Sequence, residues 1–232
     1  MSHEITLAQL RRWLLAYADR IAEQQMYLSE LDAAIGDADH GANMHRGMAK
    51  VRERLVAGEE AGLDVGSLLR TVAMTLISSV GGAAGPLYGA FFLRAALNTN
   101  GSSAITLEQL TRMFRSGLEG VQQRGKAALH EKTMVDAMQP AVQALEDAIQ
   151  AGETIARALA QAQSAAELGM QRTVSMQATK GRASYLGVRS IGHQDPGATS
   201  TYYLFETAAA VLGAVGQDDG LQQAVSAAQG NV

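Results

Sequence analysis

The stretch Asp32-Ala-Ala-Ile-Gly-Asp37-Ala-Asp39-His40-Gly41 sets three carboxylates and a histidine on one short turn between two helical patterns. Carboxylates held this close repel, and each is driven towards its neutral form unless a cation compensates them. Ligation by oxygen alone selects a hard ion such as Mg2+ or Ca2+. Asp32 closes the preceding helix, Asp37 and Asp39 alternate in an extended turn, and Gly36 and Gly41 supply backbone freedom, so the three side chains can converge. The competing reading is an acidic surface turn that caps the next helix. Asp32 and the flanking glycines favour a metal cradle.

Two further segments carry polar chemistry. Ser78-Ser79-Val-Gly81-Gly82-Ala83-Ala84-Gly-Pro86-Leu-Tyr-Gly89 precedes a helical pattern, where unpaired backbone N–H groups and the helix dipole favour an anion such as phosphate. The segment lacks the lysine of a P-loop, and close helix packing through small residues is the local alternative. Lys180-Gly-Arg182-Ala-Ser-Tyr-Leu-Gly187 runs on to Gly192-His-Gln-Asp195-Pro196-Gly197, a long polar loop with cations, a histidine and several glycines. Such a loop is costly to order unless it closes over a ligand; its alternative is a solvated connection whose arginines pair with nearby acids. His40 abuts the acidic turn, whereas His45 reads as exposed or core. No Ser-His-Asp pattern suggests a hydrolytic triad, and no residue is assigned a covalent or catalytic role.

These segments must be positioned by helices. Apolar residues recur at helical spacing, as in Leu7, Leu10, Leu14, Tyr17 and Ile21, and Thr6/Gln9 and Thr106/Gln109 each match a capping box. The pattern predicts an all-α chain with eight helices near 6–32, 43–57, 66–79, 87–98, 107–124, 133–149, 154–173 and 198–215. Pro140 falls inside one of them and predicts a kink. The 232 residues suffice for one domain over 1–216, with the tail 217–232 a short helix or a frayed end. The absence of cysteine removes disulfides and thiolate chemistry. A net charge of −4 with scattered basic residues argues against nucleic acid, and the apolar tracts are too short or interrupted to span a bilayer. With no leader pattern at the N-terminus, the expected place is the cytoplasm.

Taken together, Leu31 to Asn43, Ser78 to Gly89, Arg124-Gly125-Lys126 with Lys132-Thr133-Met134, and Gly181 to Gly187 with Gly192 to Gly197 closely resemble the L subunit of the bacterial dihydroxyacetone kinases. The resemblance covers most of the chain. It implies an eight-helix antiparallel barrel binding ADP or ATP through two Mg2+ ions at one end. It makes Asp32, Asp37 and Asp39 the metal ligands. His40, Gly41, Asn43, Ser79, Gly81, Gly82, Ala83 and Ala84 fall beside the ions and phosphates, Gly125, Thr133 and Met134 nearer the adenine, and Arg182, Asp195, Pro196 and Gly197 on the closing loop. The γ-phosphate would pass to dihydroxyacetone on a separate K subunit, with bound ADP recharged in place by an M-type phosphohistidine protein that draws on phosphoenolpyruvate. The family also admits an ATP-exchanging subunit for another ketose such as erythrulose, a nucleotide-sensing module that docks on a transcription regulator, and a homodimer.

Two departures from the family pattern stand out. Ala84 occupies a place where relatives commonly carry serine, which removes a hydroxyl from the phosphate loop. Ala127 to Glu131 lacks the glycine and acid expected before Lys132.

Overall fold

The capping boxes read from the sequence begin two helices. Thr6 and Thr106 each accept a backbone N–H from Gln9 and Gln109, whose side chains return to the threonine N–H. Just before each cap runs a two-residue strand, β1 (Ile5–Thr6) and β2 (Ala104–Ile105), paired antiparallel with Ile5 opposite Ile105. This ribbon ties the first helix start to the middle of the chain. The computed structural model describes residues 4–57 and 64–214, and the tail 217–232 lies outside them.

Nine α-helices follow among the described residues: α1 Leu7–Glu23, α2 Gln25–Ile35, α3 His40–Ala57, α4 Val65–Ser79, α5 Ala84–Ala96, α6 Leu107–Gly125, α7 Met134–Gln150, α8 Ile155–Arg172 and α9 Pro196–Leu212. Eight of them form a closed ring, since α1 packs on α3, each helix from α3 to α9 packs on the next, and α9 returns to α1. Connections such as 80–83 and 151–154 are short, so sequence neighbours lie antiparallel. The all-α, eight-helix barrel is therefore present, with α2 outside the ring against α3 and α9.

Apolar stripes at helical spacing turn into the ring. On α1 the stripe Leu10, Trp13, Leu14, Tyr17 and Ile21 is buried. Phe114 of α6 sits among Trp13, Phe91 and Phe205, with ring centroids at 5.7, 5.7 and 4.8 Å, and so joins α1, α5, α6 and α9 at one point. The Trp13 Nε1–H donates to the Leu204 carbonyl at 3.1 Å, which removes the cost of burying the indole nitrogen.

The sequence differs from the structure at several boundaries. The single helix expected over 6–32 is two, because Gln24 (φ −99°, ψ 10°) turns the chain although no glycine or proline marks it. Tertiary contacts hold that turn: Tyr203 donates to Gln24 Oε1 at 3.2 Å, and Arg20 lies on the Tyr203 ring and pairs with Glu206. Helix α3 begins at His40 rather than 43, and α5 at Ala84 rather than 87, so both helix starts reach the segments singled out for chemistry. Pro140 lies inside α7 without ending it. Proline cannot donate to the carbonyl of Asp136, and Gly169 of α8 fits against that carbonyl, where a Cβ would come within 2.1 Å. The proline thus shapes a close helix contact. The 182–190 segment, expected as loop, winds into 3-10 turns broken at Gly187 (φ 54°).

Replacing Phe114 with alanine should cost about 3–5 kcal/mol, because the ring is wholly enclosed by groups from three other helices. Urea unfolding followed by circular dichroism measures this; a loss under about 1 kcal/mol would show that the barrel does not depend on this junction.

Candidate functional site

At one end of the barrel the last turn of α2 delivers Asp32. Its Oδ2 accepts the N–H groups of Asp39 (2.8 Å) and His40 (3.1 Å) and so caps the start of α3. Gly36 donates to the Asp32 carbonyl at 2.5 Å, and a Cβ there would stand 2.1 Å from Asp32 Oδ1, so only glycine leaves that oxygen in place. Ala38 adopts a left-handed φ of 62°, which swings the chain between Asp37 and Asp39. As a result, one carboxylate oxygen from each of Asp32, Asp37 and Asp39 lies within 4.8 Å of the others. Asp32 therefore caps a helix with Oδ2 while its carboxylate also joins an acidic cluster. The donors are all oxygen and all anionic, a set that fits Mg2+.

Facing the cluster is the start of α5. Gly82 has φ 64° and Ala83 offers no side-chain cap, so the N–H groups of Ala84 and Gly85, ahead of Pro86, are placed to meet a ligand. Arg46 braces this wall, donating to the Ser79 carbonyl at 3.0 Å and to Asn43 Oδ1 at 2.5 Å. Asn43 Oδ1 lies beside Gly81, and its amide nitrogen lies beside Gly82.

The remaining wall comes from the 126–133 connection and the segment after α8. Thr133 caps α7 in a third capping box with Asp136. Asp195 caps α9 by accepting the Ala198 N–H at 2.7 Å. Burial pushes the Asp195 carboxyl up to about 7, against the opposing pull of that N–H and of Lys132. Arg182 reaches across from the 3-10 segment to pair with Asp37 at 3.0 Å. Below the acidic turn, His40 Nε2 meets Ser200 Oγ at 3.0 Å, and Tyr88 meets the same hydroxyl at 2.8 Å. Burial lowers the His40 imidazole, opposed by Asp32 and Asp39.

These walls line a cavity of about 480 Å3. Asp32, Asp37, Asp39, His40 and Asn43 border it, with Gly81, Gly82, Ala83 and Ala84 on the second wall. Gly125, Thr133, Met134, Arg182, Asp195, Pro196 and Gly197 complete the set brought together from the sequence reading. Two residues of that reading stand apart. Ser79 turns its hydroxyl to the Thr75 carbonyl at 2.5 Å, one turn back along α4. Gly41 packs α3 onto α2, where a Cβ would lie 2.0 Å from the Gln25 carbonyl. Sequence reasoning did not single out Leu87, Tyr88, Val121 and Lys132 as cavity residues. Lys132 sat within a quoted motif, as did Leu87 and Tyr88 at the end of the 78–89 segment; Val121 read as ordinary helix stripe.

The DAK2 domain model matches residues 34–210. The chain is 49% identical over 202 residues to the ADP-binding subunit DhaL of the PEP-dependent dihydroxyacetone kinase of Escherichia coli (strain K12), spanning 87% of this chain and 95% of that protein. It is 44% identical to the corresponding subunit of kinase 1 of Listeria innocua, over 84% of this chain and 91% of that one. In fold it is similar to the crystal structure of the dihydroxyacetone kinase from C. freundii in complex with AMP-PNP and Mg2+, with TM-score 0.69 at 23% identity, covering 90% of this chain and 35% of that chain.

The raised Asp195 carboxyl gives a pH dependence with a definite sign. Its folded value of about 7 lies above the ordinary 3.8, so the protonated form favours the fold, and that contribution fades as pH rises from about 4 through 7. Asp195→Asn keeps a capping amide and should flatten the ligand-free stability curve over that window; an unchanged slope in thermal unfolding from pH 4.5 to 8 would refute it.

Proposed function

We propose, from the premise that this chain belongs to the DAK2-domain family, that it is the nucleotide-binding phosphotransferase subunit of a dihydroxyacetone kinase. The observation that carries this reading is the meeting of three carboxylates, a glycine-bearing helix start and an apolar wall in one cavity. Each suits a different part of ADP or ATP. Asp32, Asp37 and Asp39 would hold two Mg2+ ions, which supply charge neutralisation and orientation for the phosphate oxygens. The free N–H groups at Gly82 to Ala84 and the amide of Asn43 bind phosphate. Leu87, Val121 and Met134 give an adenine a dry face beside Gly125. Arg182, on a segment with glycines at positive φ on either side of it, screens the phosphates from the closing side.

Phosphoryl transfer asks the protein chiefly for positioning and charge compensation, and the site has both without a nucleophile. Dihydroxyacetone is accordingly assigned to a separate K subunit, which receives the γ-phosphate at the open end of the cavity. The resident ADP is recharged in place by an M-type phosphohistidine protein. The likeness to ADP-binding subunits of PEP-dependent kinases supports this donor. No helix among the described residues is long and apolar enough to cross a membrane, in keeping with a cytoplasmic site of action.

Protein purified without added nucleotide and then denatured should release near-stoichiometric ADP and magnesium. Asp37→Asn should lower both by at least roughly tenfold while leaving the helical signal intact, since Asp37 lies outside the core. Full retention in that variant would sink the metal assignment, and an empty wild type would sink the resident cofactor.

Ala84 lies at the first position of α5 on the cavity wall, where a serine would add a hydroxyl beside the proposed phosphate position. Ala84→Ser should therefore tighten ADP binding by about 1 kcal/mol in calorimetry. Weaker binding would mean that the phosphates do not lie against this helix start.

A further inference from the structure

Lys132 is buried to 1% exposure yet belongs to the wall of the cavity. Its ammonium donates to two backbone carbonyls, those of Thr173 at the end of α8 and of His193 just before α9. Its own backbone is left-handed, with φ 61°, in a connection where Lys126 and His130 are left-handed as well. A buried ammonium and a positive φ outside glycine each cost free energy, so a lysine persists here for what its side chain holds.

What it holds is the join between two walls. Asp136 fixes the 126–133 connection from one side, accepting the N–H groups of His130 and of Thr133 (2.8 Å). The segment 173–195 crosses over the other side. Apart from Lys132, the stitches between them are weak: the Thr179 N–H to the Glu131 carbonyl at 3.3 Å, and Lys180 to Glu131 at 3.9 Å. The Lys132 ammonium lies deeper, and the carbonyls it grips flank the stretch that leads into Asp195, whose own N–H donates to Thr173 Oγ1 at 3.0 Å. Gly125 and Met134 thus reach the cavity from one side of the Lys132 clip, and Arg182 and Asp195 from the other.

We infer that Lys132 is a positioning residue that locks the closing segment to the base-side wall and thereby sets how slowly a bound nucleotide escapes. The inference rests on the nucleotide reading above and adds to it the residue that governs retention. The acidic turn is built on α2 and α3 by hydrogen bonds that do not pass through Lys132, and it meets the closing segment through the Arg182–Asp37 pair. Loss of the ammonium should therefore speed nucleotide release and spare the binding of Mg2+ alone.

The test uses the full chain, mant-ADP as the probe, and the variants Lys132→Ala and Lys132→Met, the second keeping the length of the apolar stem in case the first does not fold. Release of mant-ADP should quicken roughly tenfold or more in either variant, as expected for a lost hydrogen-bonded charge, while calorimetric binding of Mg2+ alone stays within about twofold of the wild type. Methylammonium should slow release again in Lys132→Ala, and ethanol at the same concentration should not. An unchanged release rate in the folded variants, or equal rescue by ethanol, overturns the inference and leaves the nucleotide reading standing. A wild type that binds no mant-ADP overturns both.

Discussion

Asp32 is the residue on which the open end of the barrel depends. One of its oxygens accepts two backbone N–H groups from the start of α3, and the same carboxylate belongs to the cluster with Asp37 and Asp39. Those N–H groups carry partial positive charge at a helix start, which is why a third carboxylate can be tolerated in the cluster. The turn is therefore preorganised by the backbone before any cation arrives. Gly36 is required for this arrangement, because a side chain there would strike Oδ1 of the Asp32 carboxylate.

Much of this was legible in the chain, and the reasons differ by element. Thr6/Gln9 and Thr106/Gln109 are local devices, satisfied by residues three apart, so their geometry is written entirely in the sequence. The acidic turn could be read because like charges so close together require an explanation. The all-α class could be read from spacing alone. The break at Gln24 could not, since its cause lies 179 residues away at Tyr203. Ser200 was equally silent: a small polar residue within an apolar helix stripe gives no hint that it will meet both Tyr88 and His40. Lys132 was quoted as part of a motif without a role, because its partners are backbone carbonyls, which no side-chain pattern encodes.

Glycine and proline do two kinds of work here. Gly82, Gly181 and Gly187 supply positive φ where the chain bends around the cavity. Gly41 and Gly169 instead supply closeness, letting α3 and α8 approach a neighbouring backbone to a distance that a methyl group would forbid. Pro140 complements Gly169, because the carbonyl left without its helical donor is the one that the glycine backbone approaches. The charge-bearing loops are thereby mounted on helices whose separations are set by backbone contact, and such contacts have little room to drift.

The ring is closed by α1 and α9, which lie at opposite ends of the described chain, and the cavity takes residues from 32–43 at one end and from 195–197 at the other. No partial barrel can assemble the pocket; its completion and the closure of the ring are one event. A molecule that binds the finished pocket adds its binding free energy to the fold, by an amount that grows with the logarithm of its concentration. The supply of that molecule then acts as a term in the stability of the protein itself, and the same geometry makes a filled pocket more durable than an emptied one.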